Sequence, residues 1–398
     1  MDKRMLIILT LLVTLFLGFG IIIPVLPEMI LDAGEARFHL YVMLAAYSAA
    51  SFLMSPVWGA LSDRVGRRPV LMAGTLGFSA SFLLFGLSGG NLALMYASRL
   101  LGGVFSGAAT SCAVAYVADI TTEERRTRSM GLVGMSIGLG FIFGPGIGGL
   151  LSGFGNEVPF FAAAALALVN FLFALKLLPE SAPLHRNDAA KAAASAAPFG
   201  SRWKLFRGPI AYLFALMFLL TFALAGLEST LQYFEIERFA ATPREIGTMF
   251  FISGIAGAAV QGGVVRRYAK PGTEPAFIRT GLALQAAGFI LLLFSRDVWT
   301  ASLFMTVFGI GNSLLRPCVQ SLITQTTKAG QGVTNGLSSS MDSLGRIAGP
   351  LIAGGLFEVE SALPFIVGAL VSLAGFLLIG RFLALKKRTA DAGAAPSA

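Results

Sequence analysis

The chain reads GALSDRVGRRP at residues 59–69, where a short basic turn separates the apolar runs 40–61 and 70–88. If both runs are helices, Asp63 lies at the C-terminal end of the first, where the helix dipole disfavours an anion by about 0.3–1 kcal/mol. Another group must therefore hold this carboxylate, such as a neighbouring arginine or the N-terminus of another helix. The plainer alternative is a tight basic turn that only orients the chain in a membrane.

The composition around this turn is that of a membrane protein. Of the 398 residues, 55% are apolar and 13% charged, and the mean hydropathy is +0.76. A soluble domain carries about 25% charged residues, and a helix crosses a bilayer with ~20 mostly apolar residues. Twelve segments qualify as spans, at about 5–26, 40–61, 70–88, 92–117, 130–152, 158–178, 209–234, 245–267, 276–294, 298–322, 333–357 and 361–384.

Lysine and arginine are distributed unequally between the two sides of these segments. If the N-terminus lies inside the cell, 23 of the 30 Lys and Arg residues lie in or beside the cytoplasmic connections and termini, and 4 lie in the outer connections. Because cytoplasmic loops carry the excess of positive charge, we expect a multi-pass protein of the bacterial inner membrane with both termini cytoplasmic. The net charge of +9 then reflects orientation, and we expect no nucleic-acid partner.

The longest polar connection, residues 179–208, divides the chain into two similar halves. The halves repeat at an offset of 205 residues, so that Gly144-Pro145 matches Gly349-Pro350. We predict an all-α membrane protein with a six-helix half at 1–178, a cytoplasmic linker at 179–208, a second six-helix half at 209–385 and a cytoplasmic tail at 386–398. Repeated halves are typical of transporters that bind substrate between them, whereas a channel or receptor does not need them.

A single arginine, Arg99, lies inside the fourth segment and is followed by Gly102, Gly103 and Gly107. A charge within a span costs several kcal/mol unless it faces a cavity or a partner, so this arginine indicates function. The alternative is a side chain that extends to the outer surface for solvation alone.

Glycine is concentrated in the fifth segment around Pro145. Gly140, Gly144 and Gly148 recur every four residues and present a smooth stripe for close helix approach, and Gly149 follows. The proline removes a backbone donor and permits a bend. Tight packing without a further role is the simpler interpretation.

Together these motifs resemble the major facilitator superfamily, and within it the twelve-helix drug:proton antiporters of the Bmr/NorA type. The resemblance implies the major facilitator fold, alternating access, and exchange of protons for lipophilic or cationic drugs. It implies a proton-coupling role for Arg99. It also implies a conformational latch of Gly59, Asp63, Arg64, Gly66, Arg67, Arg68 and Asp119, and an antiporter motif of Gly140, Gly144, Pro145, Gly148 and Gly149.

The resemblance places substrate-binding residues in the second half of the chain. Glu228 is the only carboxylate of the seventh predicted segment, and we expect it to bind protons and recognise cations. Arg316 matches an Arg-Pro pair of the same exporters in the tenth segment. Those exporters usually carry an acid four residues before this arginine, where the present chain has Asn312.

Asp342 and Arg346 distinguish this chain from the Bmr/NorA pattern, which is uncharged at both positions. They lie four residues apart in the eleventh segment, on one helix face and close enough to interact. We hypothesise that Asp342 takes over the proton-coupling and substrate-binding role of the acid missing at Asn312, with Arg346 holding it ionised. A permanently paired structural couple is the alternative.

Other functional classes find little support in the sequence. His39 and His185, the only histidines, are far apart, and no P-loop motif occurs, so we expect neither an enzyme nor an ATP-driven pump. Cys112 and Cys318 lie in apolar runs, and we expect no metal site and no cofactor. A channel, a lipid flippase, or an exporter of a metabolite, a sugar or tetracycline remains an alternative. We expect a monomer in the lipid bilayer that exchanges a small molecule for protons.

Overall fold

The computed structural model describes residues 3–181, 208–269, 272–327 and 331–393, and within these ranges every regular element is helical. Most of the predicted linker, residues 182–207, lies outside the described residues. The helices are α1 (Lys3–Ile21), α2 (Leu26–Asp32), α3 (Phe38–Val65), α4 (Arg67–Gly86), α5 (Leu92–Ile120), α6 (Glu123–Leu151), α7 (Val158–Leu177), α8 (Ile210–Phe239), α9 (Pro243–Ala259), α10 (Glu274–Leu292), α11 (Val298–Thr326), α12 (Gln331–Val359) and α13 (Leu363–Gly393).

Each predicted span coincides with a helix of sufficient length. Eleven spans in the described residues are long and apolar enough to cross a membrane. The remaining predicted span is α12, whose 29 residues reach about 43 Å at 1.5 Å per residue but include Asp342 and Arg346. The first span is interrupted between α1 and α2, because Pro24 and Pro27 lack the backbone donors that a continuous helix requires.

Local sequence sets the helix ends. Gly66 separates α3 from α4 with φ +103°, a left-handed value that glycine adopts readily. Asn91 caps α5, and Asp297 caps α11 in a reciprocal arrangement with Thr300. Hydrogen bonds from the backbone and side chain of Thr300 hold the pKa of the Asp297 carboxyl below its usual value. A π-helical stretch, Val260–Val265, follows α9.

The helices form two compact units. Unit 1 comprises Met1–Ala194 and Leu231–Gly254, and unit 2 comprises Ser195–Thr230 and Ile255–Ala398. We call Leu231–Gly254 the α8–α9 corner, because it joins the end of α8 to the beginning of α9. The predicted six-helix halves stay a prediction, since unit 1 also takes in this corner.

Each unit has its own helix packing. In unit 1, α1 packs on α6 and α7, and α5 packs on α3 and α4. In unit 2, α10 packs on α11 and α13. The buried core of unit 2 includes Leu213, Phe214, Ile278, Leu282, Leu315, Val319, Ile379 and Phe382.

Candidate functional site

The basic turn between α3 and α4 forms an ion-pair cluster in unit 1. Arg67 Nη1 lies 2.7 Å from Asp63 Oδ1, and Arg67 Nε donates to Asp119 Oδ2 over 3.1 Å. Arg67 also donates to Ser62 Oγ over 2.6 Å. The structure therefore supplies the partner that Asp63 requires at its helix C-terminus, and it brings Asp63, Arg67 and Asp119 together, while their role as a latch stays a prediction.

Glu180, which the sequence analysis did not single out, completes this cluster. Its carboxylate accepts hydrogen bonds from the backbone N–H groups of Arg67 (2.8 Å) and Arg68 (3.1 Å) at the beginning of α4. A carboxylate is favoured there, because the first N–H groups of a helix have no partner within the helix. A side chain at Gly66 would place its Cβ 2.6 Å from Glu180 Oε2, so glycine is required for space as well as for its φ.

The other predicted latch residues are arranged differently. Arg68 Nη2 donates to the carbonyl oxygen of Leu175 at the end of α7 over 2.6 Å. Arg64 is exposed, and a Cβ on Gly59 would meet open space. The cluster therefore rests on Arg67, its two aspartates and Glu180.

Arg99 lies in an aromatic environment inside unit 1. Its side chain is buried, with the guanidinium carbon 4.7 Å from the Phe85 ring centroid and 5.8 Å from that of Phe82. Rings stabilise a buried cation through their quadrupole. Among the described residues, Arg99 Nε has no hydrogen-bond partner. Its predicted role in proton coupling stays a prediction.

Four charged side chains of unit 2, which we call the central charge cluster, form two ion pairs. Arg316 of α11 pairs with Asp342 of α12, and Thr221 Oγ1 of α8 donates to the other oxygen of Asp342 over 2.6 Å. Arg346 Nη1 of α12 lies 3.9 Å from Glu228 Oε2 of α8. The four-residue spacing predicted that Asp342 and Arg346 interact within α12, whereas each has a partner on another helix.

This cluster lies deep along its helices. Arg316 is ten residues before the end of α11, and Asp342 is eleven residues after the beginning of α12, which places both about 15 Å from a helix end. That is about half the thickness of the hydrocarbon core. The Arg316 side chain is 49% exposed and that of Glu228 20%, so neither ion pair is completely buried. Asn312 lies one turn before Arg316 and is partly buried.

The glycine stripe of α6 contacts α1. A Cβ on Gly140 would lie 2.6 Å from Leu17 N, one on Gly144 would lie 2.7 Å from Gly20 Cα, and one on Gly148 would lie 2.7 Å from Ile21 C. Gly149 faces the α8–α9 corner, where its Cβ would lie 2.6 Å from Pro243 O. These glycines therefore allow two close contacts within unit 1, and the antiporter role of the motif stays a prediction.

In the described part of the chain, no group of three or more His, Cys, Asp or Glu side chains is arranged to hold a metal ion. Cys112 and Cys318 are buried free thiols. These two side chains therefore act as small packing residues.

Comparison with known proteins agrees with this architecture. The model of the Major Facilitator Superfamily matches residues 8–273 and 272–397. The Quinolone resistance protein NorA of Staphylococcus aureus (strain COL) is 29% identical over 379 residues, which are 95% of this chain and 96% of that protein. Multidrug resistance protein 2 of Bacillus subtilis (strain 168) is 31% identical over 384 residues, 95% of this chain and 94% of that protein.

Two solved structures show the same architecture. The human organic anion transporter MFSD10 (TETRAN) is 27% identical, with a TM-score of 0.71, and the match covers 95% of this chain and 100% of that one. The nucleoside transporter NupG has a TM-score of 0.75 at 15% identity, covering 96% of this chain and 100% of that one, and it supports the fold alone. Since the family model matches nearly the whole chain, this multi-pass membrane protein belongs to the major facilitator superfamily and is a transporter, not an enzyme.

Proposed function

We propose that this transporter is a proton-coupled antiporter that exports lipophilic or cationic drugs across the bacterial inner membrane. The observation that carries the proposal is the central charge cluster, in which Glu228 lies 3.9 Å from Arg346 within unit 2. The likeness to a quinolone resistance protein and a multidrug resistance protein supports drugs as the substrate class.

The chemistry of exchange follows from competition for one carboxylate. The ion pair of Arg346 and Glu228 spans 3.9 Å, which is longer than a good charge-assisted hydrogen bond. A proton on Glu228 removes the negative charge that a cationic substrate needs. A bound cation, conversely, displaces the proton. Binding of one therefore releases the other, which is the requirement for antiport.

Asp342 supplies a second carboxylate for the same cluster. It is held by Arg316 and by Thr221, so protonation of Asp342 would break an ion pair between α11 and α12. A proton bound there would change the contacts between two helices. This arrangement supports the hypothesis that Asp342 replaces the acid missing at Asn312, with Arg316 as its partner.

Alternating access would use the contacts at the two ends of unit 1. We assign the cluster of Asp63, Arg67, Asp119 and Glu180 to the cytoplasmic side and the α8–α9 corner to the outer side, in accord with the Lys and Arg distribution. In this assignment both termini are cytoplasmic and the protein works as a monomer in the lipid bilayer, without a nucleic-acid partner.

Export of an organic anion or another metabolite is the second candidate function. Arg316 and Arg346 place two cations among the four charges of the cluster, which suits a carboxylate as well as an ammonium group. The likeness to a human organic anion transporter supports this candidate.

Inverted membrane vesicles test the two candidates together. Energised vesicles should accumulate cationic dyes or quinolones, and an uncoupler should abolish accumulation because it collapses the proton gradient. Glu228→Gln should reduce accumulation most for permanently cationic dyes, whereas Glu360→Gln, an exposed carboxylate of the same unit, should not. Accumulation of anions alone would favour the second candidate, and accumulation that ignores the uncoupler would refute proton coupling.

A further inference from the structure

Glu235 is a buried acid that the sequence analysis did not place inside a span. The seventh predicted segment ends at 234, whereas α8 continues to Phe239 and includes this residue. The Glu235 side chain is 0% exposed, and among the described residues neither carboxyl oxygen has a hydrogen-bond partner. Glu235 belongs to the α8–α9 corner and packs within unit 1.

An ionised carboxylate in this position would be strongly unfavourable. Burying an unpaired charge costs several kcal/mol even after the protein relaxes, and a protein avoids that cost by neutralising the group or hydrating it. The packed corner therefore requires a proton on Glu235. Loss of that proton requires the corner to admit water.

The charged neighbours do not remove this requirement. Arg37 of α3 pairs with Glu237, and its guanidinium carbon lies 5.7 Å from the Tyr233 ring centroid. Glu245 of α9 accepts hydrogen bonds from Thr242. The titratable groups that the surrounding elements bring to the corner are Arg37 and Tyr41 of α3, Arg244 and Glu245 of α9, and Tyr233, Glu237 and Arg238 of α8. The α6 residues in contact there carry no charge, and they include Ile142, Phe143, Pro145, Gly146 and Gly149.

Arg238 is the cation three residues after Glu235 along α8, and its charge attracts the Glu235 carboxylate. Its guanidinium carbon lies 5.3 Å from the Phe234 ring centroid and 5.8 Å from that of Phe239, and the residue is exposed. An exposed arginine is largely screened by solvent. Its attraction for the Glu235 carboxylate is therefore weak, and neither carboxyl oxygen accepts a hydrogen bond among the described residues.

From this geometry we propose that Glu235 is a proton-binding site that controls packing of the α8–α9 corner. With a proton bound, the corner packs in unit 1, and without it the corner separates and hydrates. The sign follows from linkage: the packed form holds one more proton, so acid favours packing and packing is lost as the pH rises. With the corner on the outer side, as in the proposed topology, external protons would close that side and external alkali would open it.

This site would prevent the outer side from closing before a proton has been bound. A transporter that has released its substrate outside would close its outer side only after taking up a proton from outside. The drug would then leave the cell before the proton enters, so the two would move in opposite directions. The inference rests on the proposed topology for its side, but it does not depend on which substrate is exported.

Distance measurements between spin labels test the site without any transport assay. Labels on Phe154→Cys and Thr242→Cys, both exposed residues of unit 1, report on the corner in a Cys112→Ala and Cys318→Ala background. In lipid nanodiscs we expect a short-distance population in acid and a longer one in alkali. Because packing is linked to one bound proton, the ratio of the short-distance to the long-distance population should change by up to about tenfold per pH unit.

Variants of Glu235 and of its neighbour Glu237 test whether Glu235 binds the proton. Glu235→Gln, which mimics the protonated form, should keep the short distance at every pH. Glu235→Asp, which keeps a carboxyl, and Glu237→Gln, which loses only the pair with Arg37, should both retain a pH response. A wild type without a pH response, or a Glu235→Gln variant that still titrates like the wild type, would overturn the proposal even if drug export is confirmed.

Discussion

Replacing Gly140 by alanine should destabilise the packing of α6 on α1. The new Cβ would lie 2.6 Å from both Leu17 N and Phe16 Cβ, whereas ordinary contact begins at 3.4 Å. Two of the neighbouring atoms, Leu17 N and Phe16 C, belong to the backbone, so no side-chain rotation relieves the overlap. The two helices must therefore separate locally by about 0.8 Å, which is the difference between these distances.

The size of the effect follows from a matched control on the same helix. Overpacking a well-packed contact costs about 1–3 kcal/mol. Alanine also favours the helix by up to about 1 kcal/mol relative to glycine, which partly hides that cost. Gly138 lies two residues away, and a Cβ added there would have no neighbouring atom within 4 Å, so Gly138→Ala gains the helix preference alone. The difference between the two variants should therefore be about 1–3 kcal/mol.

Reversible unfolding in mixed micelles with increasing sodium dodecyl sulfate, followed by circular dichroism, measures this difference. We expect Gly140→Ala to unfold at a lower detergent fraction than wild type. Gly138→Ala should unfold at the same or a higher fraction. Equal midpoints for the two alanine variants would refute the close α1–α6 contact.

Three further predictions concern the ion pairs and the topology. Asp63→Asn should lower the turnover of transport and spare substrate affinity, because it loosens the cluster at Arg67 without touching the central charges; wild-type turnover would argue against a latch. Asp342→Asn should abolish uptake into inverted vesicles, and adding Arg316→Gln should not restore it, since we expect the carboxylate itself to be needed; recovery in the double variant would make the pair structural. Single cysteines in residues 179–208 should react with an impermeant reagent only from the cytoplasmic side, and efficient labelling from outside would contradict the topology.

Much of the fold could be predicted from the sequence because the membrane imposes a simple rule. Each span needs ~20 mostly apolar residues, so helix positions follow from hydropathy alone. The helix ends were less predictable, since apolar residues do not determine where a helix stops in water. The prediction for the seventh segment ended at 234, but α8 continues to Phe239 and carries Glu235 into the packed part of unit 1. Glu235 lies seven residues after Glu228, and residues at that spacing share one face of a helix. This spacing could have indicated that α8 continues to Glu235.

The partners within the site were only partly predictable. The helix dipole predicts that Asp63 needs a compensating positive group, and Arg67 provides it. The partner of Asp342 could not be derived in the same way. The four-residue spacing to Arg346 indicates proximity within one helix, whereas Arg316 comes from another helix, and the sequence alone does not give the rotation of packed helices. Glu180 was missed because it follows the last apolar run and looks like part of a solvated linker.

In the proposed function, protons drive substrate across the membrane through this protein. Purified protein in liposomes tests it directly, with the interior made acidic and a cationic dye outside, in the absence of any other energy source. We expect dye to accumulate inside above its external concentration for the wild type, to leak back when an uncoupler is added, and to stay at equilibrium for Glu228→Gln. Equal accumulation with and without the proton gradient would contradict the account.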